Sequence, residues 1–151
     1  NLRGADLQGA NLWNANLQGA KGIRPFAIQS LNLLLCQPTR AKLRAFKVVN
    51  KSSNQSPIRD TGKLTYQIGK TLKSSGETSP LIECGPGISL GTWEWVAENY
   101  NKTYHKILVI EFATQDILAV PIHGGGKFRV KKCKVVRELT QKEIDKYNKE
   151  V

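Results

Sequence analysis

Methionine is absent from the 151 residues, and only three cysteines and two histidines occur. Cys36, Cys84 and Cys133 are widely spaced, odd in number and without a C-x-x-C pair. That pattern argues against a disulfide framework and against a zinc knuckle, and reads as reduced, buried thiols. His105 and His123 have no other ligand-type residue at metal spacing, so neither a metal nor a cofactor is expected. No apolar run approaches a membrane span, and no signal peptide is visible. Acidic residues are scarce as well: 12 Asp and Glu face 23 Lys and Arg, a net charge of +11. The excess excludes an acidic mimic of DNA. It favours an anionic partner: nucleic acid, an acidic protein face or a membrane surface.

What the chain does have is a five-residue repeat at its start, NLRGADLQGANLWNANLQGA. Leu2, Leu7, Leu12 and Leu17 recur at every fifth position, as do Ala5, Ala10, Ala15 and Ala20, with Asp6, Asn11 and Asn16 between Ala and Leu. A period of five fits neither a helix nor a strand, so it reads as a solenoid whose coils turn inward on every side. The motif A-[DN]-L-x-x resembles the pentapeptide-repeat family over residues 1–21. The resemblance implies the end of a right-handed quadrilateral β-helix, with four repeats to a coil. The repeat decays at Lys21-Gly22. One coil cannot bury its own apolar face, and Asn1 falls inside a repeat, so the expectation is the C-terminal piece of a longer protein. Residues 22–41, with Ile28, Leu31, Leu33, Leu34 and Leu35, are expected to connect and cap the coil.

Residues 42–151 read as a basic α+β domain with a C-terminal helix. Strands are expected at 43–49, 64–70, 81–84, 106–112 and 117–121, and one long strand at 126–136 with a bulge at Lys131-Lys132. On the second of these, Leu64, Tyr66 and Ile68 should share a face. Thr92 is a fair N-cap for a helix from Trp93 to about Asn101, and Thr140-x-x-Glu143 is a capping box for a terminal helix to about Lys149. The blocks LRAFKVVN, LTYQIGKTL, ECGPGISLGTWEW, KILVIEF, DILAVP and GKFRVKKCKVV resemble an uncharacterised domain that follows pentapeptide repeats in phage, viral and some bacterial proteins. The likeness runs over residues 43–137 and implies a setting rather than a reaction.

Two enzymatic patterns are present but displaced. Gly87-Ile88-Ser89-Leu90-Gly91 spells the G-x-S-x-G nucleophile elbow, followed by Asp116 and His123. However, the helix starts too late, and His123-Gly124-Gly125-Gly126 lies after the elbow instead of before it. A first strand carrying Arg44 or Lys47 and a later strand ending in Glu111 loosely resemble ADP-ribosyltransferase architecture, which leaves a domain of that kind, active or inactive, as a second alternative. No catalytic residue is assigned.

The binding candidates are therefore basic. Arg44 belongs to a cluster with Arg40, Lys42, Lys47 and Lys51. A second cluster holds Lys127, Arg129, Lys131, Lys132, Lys134 and Arg137. Strand alternation predicts that Lys127, Arg129 and Lys131 project together, with Phe128 toward the core. Trp95 points away from the apolar side of its helix (Trp93, Val96, Ala97 and Tyr100), and reads either as an interface anchor or as a cover packed under the 50–57 or 74–80 loop. The leading expectation is a non-enzymatic structural or protein-interaction protein, a phage- or virus-associated component in the cytoplasm or the virion, with subunits of a larger assembly as partners. The alternative is a nucleic-acid-binding pentapeptide-repeat protein.

Overall fold

The computed structural model describes residues 38, 40–57, 64–76, 78–79, 81–82, 84–121 and 125–150. The β-helical coil and the connector expected before residue 38 lie outside them, as does His123. The described residues form an antiparallel seven-stranded sheet with two helices. The strands are β1 (Lys42–Asn50), β2 (Thr71–Lys73), β3 (Ile88–Gly91), β4 (His105–Ala113), β5 (Ile117–Ala119), β6 (Lys127–Val130) and β7 (Lys132–Glu138). Helix α1 spans Trp93–Glu98 and α2 spans Gln141–Glu150. The sheet order is β2-β7-β4-β1-β3-β6-β5.

Strands β6 and β7 are joined through Lys131 alone, yet β4, β1 and β3 lie between them in the sheet. The sheet must therefore curl. Phe112 of β4 and Phe128 of β6 confirm this, since their ring centroids are 5.1 Å apart across the interior although β1 and β3 separate their strands. Where the two edges approach, Lys131 joins them: its N–H donates to the Asp116 carbonyl (2.7 Å) and its carbonyl accepts from Ser74 N–H (2.9 Å). The expected single strand 126–136 is thus two strands at opposite ends of the sheet order, bent at Lys131. The register slip falls later, where Val109 pairs with Arg137 and Ile110 with Val135, leaving Val136 over.

The inside of the curl is apolar. Ala45, Val49, Tyr66, Ile88, Leu90, Leu108, Ile110, Phe112, Phe128, Val130, Cys133 and Val135 form one buried cluster. The outside is half-covered by the helices: Trp93, Val96 and Ile144 pack on Phe46, Val48, Ile107 and Val109. Because β1 and β4 are buried on both sides there, Ile107, Leu108, Val109 and Ile110 are buried in succession. Burying each of them contributes about 1.5–3 kcal/mol. Trp93 stacks edge-on against Phe46 (5.4 Å) and tilted against Tyr147 (5.0 Å), tying both helices to β1.

Two expected strands are not strands. Residues 64–70 form no strand of their own: an isolated bridge joins Gln55 to Thr65, and the chain turns at Gly69 with φ +85°, bonding Val135 of β7 through Gly69 N–H and the Lys70 carbonyl. Tyr66 is buried as expected, but the turn carries Ile68 out to 59% exposure. Residues 81–84 contain a turn and a bend, and the strand starts after Gly87 instead. The capping box is present, with Thr140 N–H donating to Glu143 Oε2 (2.8 Å) and Glu143 N–H to Thr140 Oγ1 (3.3 Å). No helix among the described residues is long and apolar enough to cross a membrane.

Candidate functional site

The outer sheet surface beyond the helices is cationic. Antiparallel partners share a face, so the register sets Arg44, Glu111, Lys134 and Thr71 in one row across β1, β4, β7 and β2. Lys42, two residues from Arg44, and Lys132, two residues from Lys134, lie on the same face. Lys73 is the direct partner of Lys132. Lys42, Arg44, Lys73, Lys132 and Lys134 are all exposed. Among the described residues of these rows, Glu111 is the sole carboxylate against five cations, and it meets Lys42 at 3.6 Å. The contrast is with α2, where Lys142, Glu143, Asp145, Lys146 and Lys149 mix the signs.

The remaining candidates are placed differently. Lys127 and Arg129 were expected to project with Lys131, but they are only 4% and 0% exposed. Alternation holds, in that Phe128 points into the curl and its neighbours point out of it. The outside is covered here by a second layer that period-2 reasoning does not contain. Arg129 donates to the carbonyls of Ile82 (2.6 Å) and Ser79 (2.9 Å). Lys127 Nζ lies 3.1 Å from Cys84 Sγ and 5.9 Å from the Trp95 ring centroid. Both cations hold chain segments in place, so they do not form one presenting surface with Lys131, which sits exposed at the bend.

Trp95 packs against the cluster between the helices and the outer sheet. It is half-buried over Gly91, where an added Cβ would come within 2.6 Å of its Cε3. Arg137 latches α2 to β7, bonding Glu143 at 2.8 Å. This pair and the bonds that the Thr140 N–H (2.8 Å) and hydroxyl (2.9 Å) donate to Glu143 Oε2 hold the Glu143 carboxyl at about 2, well below its ordinary value, with the Arg137 bond the largest cause. Lys47 lies buried with its Nζ donating to the Ser89 carbonyl (3.0 Å), 5.1 Å above the Tyr66 ring.

The two displaced enzymatic patterns can also be placed. Ser89 sits inside β3, paired in register with Arg129, and not at a strand-to-helix turn. Arg44 and Glu111 are direct partners on the exposed face, while Lys47 is buried.

Lys42 and Lys73 complete the face that Arg44, Lys132 and Lys134 begin. Lys42 was legible as part of the first basic cluster. Lys73 sits on a three-residue strand with no periodic signal, and only its pairing with β7 shows where it belongs.

Residues 1–24 match the family model for pentapeptide repeats (eight copies). No curated protein matches the chain, and no solved structure does. The chain thus carries pentapeptide repeats, which point to a structural or protein-interaction role, ahead of an α+β domain with a seven-stranded antiparallel sheet.

Proposed function

We propose that this protein is a non-enzymatic interaction module whose α+β domain docks an acidic protein surface through the face formed by Lys42, Arg44, Lys73, Lys132 and Lys134. The observation that carries the reading is the Lys73–Lys132 pair. Like charges directly opposite across strands are destabilising, and an anionic surface relieves that repulsion. The repeats support the same reading, because solenoids offer extended faces to partners. A subunit of a phage or virus particle, in the cytoplasm or the virion, is the setting we propose, and it rests on the likeness of residues 43–137 to the domain that follows such repeats there.

A second reading has the phosphate backbone of nucleic acid on the same five cations. Aromatic platforms for bases are missing from this face among the described residues, so it would bind phosphate without stacking. Retention of the full chain on immobilised poly-L-glutamate and on duplex DNA, across a salt gradient, separates the two. A protein-docking face is retained on polyglutamate at least as strongly as on DNA. Preferential DNA binding, with affinity falling by about 0.9 log units per neutralised phosphate for each log unit of salt, would favour the second reading.

A further inference from the structure

At the seam of the curl lies a cleft of about 410 Å³ lined by Lys73, Ser74, Ser75, Asp116, Lys131 and Lys132. Its volume falls in the range of small-molecule sites. Its walls come from both edges of the sheet: Lys73 ends β2, and Asp116 precedes β5. The rim is fixed by the two backbone bonds at Lys131 described above. It is fixed also by Gly76, where an added Cβ would come within 2.5 Å of Leu118 Cδ1 and 2.6 Å of the Pro86 carbonyl.

Two features of the cleft are unexplained by folding. Three lysines converge on it, two of them directly opposed across β2 and β7. Asp116 is 8% exposed, yet its carboxylate has neither a hydrogen bond nor an ion pair among the described residues. The carboxylate keeps contact with solvent in the cleft, where a bound ligand can take the place of water as its donor. A ligand that suits the cleft brings a donor for Asp116 and negative charge for the lysines.

We propose that this cleft binds a ribose phosphate. The ammonium groups of Lys73, Lys131 and Lys132 hold the phosphate, the Ser75 hydroxyl adds a donor, and the Asp116 carboxylate accepts from a sugar hydroxyl. A bare anion does not fit this set, because Asp116 would repel it. The site shares Lys73 and Lys132 with the docking face but goes beyond it: Asp116 and Lys131 are not part of that face, and the ligand is a small group and not a protein surface.

The test is titration of the full chain, followed by calorimetry or amide NMR, with inorganic phosphate, ribose 5-phosphate and a tetraribonucleotide lacking terminal phosphates. Lys131→Ala should weaken ribose 5-phosphate about tenfold, the scale of one charge-assisted hydrogen bond. Asp116→Ala should move the probes in opposite directions, with inorganic phosphate bound more tightly and ribose 5-phosphate severalfold more weakly. Asp116→Asn, which keeps one acceptor and removes the charge, guards against misfolding and should show the same crossing in milder form. Tighter binding of ribose 5-phosphate identifies a free sugar phosphate as the source, and tighter binding of the tetranucleotide identifies an RNA strand. The proposal is overturned if neither ribose probe binds at millimolar concentration, or if removing Asp116 strengthens all probes equally.

Discussion

Arg129→Met keeps an apolar stem of similar length and removes the guanidinium. Arg129 has no exposed surface and reaches two main-chain carbonyls, at 2.6 Å and 2.9 Å. Hydrogen bonds from a charged donor contribute about 1.5–3 kcal/mol each, so losing both costs about 3–6 kcal/mol. Water reaching the freed carbonyls sets the lower end, because Leu81 between them is already 77% exposed. For a domain of this size about 3 kcal/mol corresponds to a fall in Tm of roughly 10–20 °C. The loss should be local before it is global. Thermal melting should show the drop, and hydrogen exchange or limited proteolysis should show residues 79–82 opening first. Arg129→Glu, which would only retune association if Arg129 lay on a rim, should instead prevent folding, since it buries a carboxylate facing two carbonyls. If Arg129→Met melts within about 1 kcal/mol of the parent and leaves the 79–82 segment protected, the guanidinium is not what holds that segment.

Other substitutions test neighbouring parts of the account. Trp95→Ala should cost about 2 kcal/mol in a denaturant titration, roughly half the cost of truncating a fully buried Trp; unchanged stability would return Trp95 to the role of a free anchor. Ile110→Ala should cost about 2–5 kcal/mol, because the side chain is fully buried inside the curl. The depressed Glu143 carboxyl stabilises the fold above its ordinary value of 4.5, and this contribution is lost as pH falls through about 2. The gap in Tm between the parent and Glu143→Gln should therefore be full at pH 6, shrink below about pH 4.5 and close near pH 2. Because the pair is exposed, added salt should narrow it as well.

Much of the fold was legible wherever one local signal decided the matter. KILVIEF is apolar enough to demand burial, Thr140 and Glu143 spell a cap that forms as written, and the Leu and Ala spacing marks the repeats. The site was legible only by composition. Arg44, Lys132 and Lys134 were readable as basic residues, but Lys127 and Arg129 carry the same charge on the same side of their strand and lie buried. What separates them is a non-local fact: β6 is covered by Ser79, Ile82 and Trp95, whereas β7 is left open beyond α2. Lys73 escapes sequence reasoning, and Asp116 enters it only through the displaced elbow pattern, for a related reason. Neither sits in a periodic element, and their meeting depends on the sheet curling until its edges touch.

One patch, and not the net charge, is proposed to bind the anionic partner. This is tested by exchanging equal charge at two places. Arg44→Glu/Lys132→Glu/Lys134→Glu and Lys142→Glu/Lys146→Glu/Lys149→Glu change the net charge identically, and circular dichroism can confirm that both remain folded. On immobilised poly-L-glutamate the sheet variant should elute at far lower salt than the parent, and the helix variant close to it. Equal loss in both variants, or retention of the sheet variant at the parental salt concentration, would contradict the account.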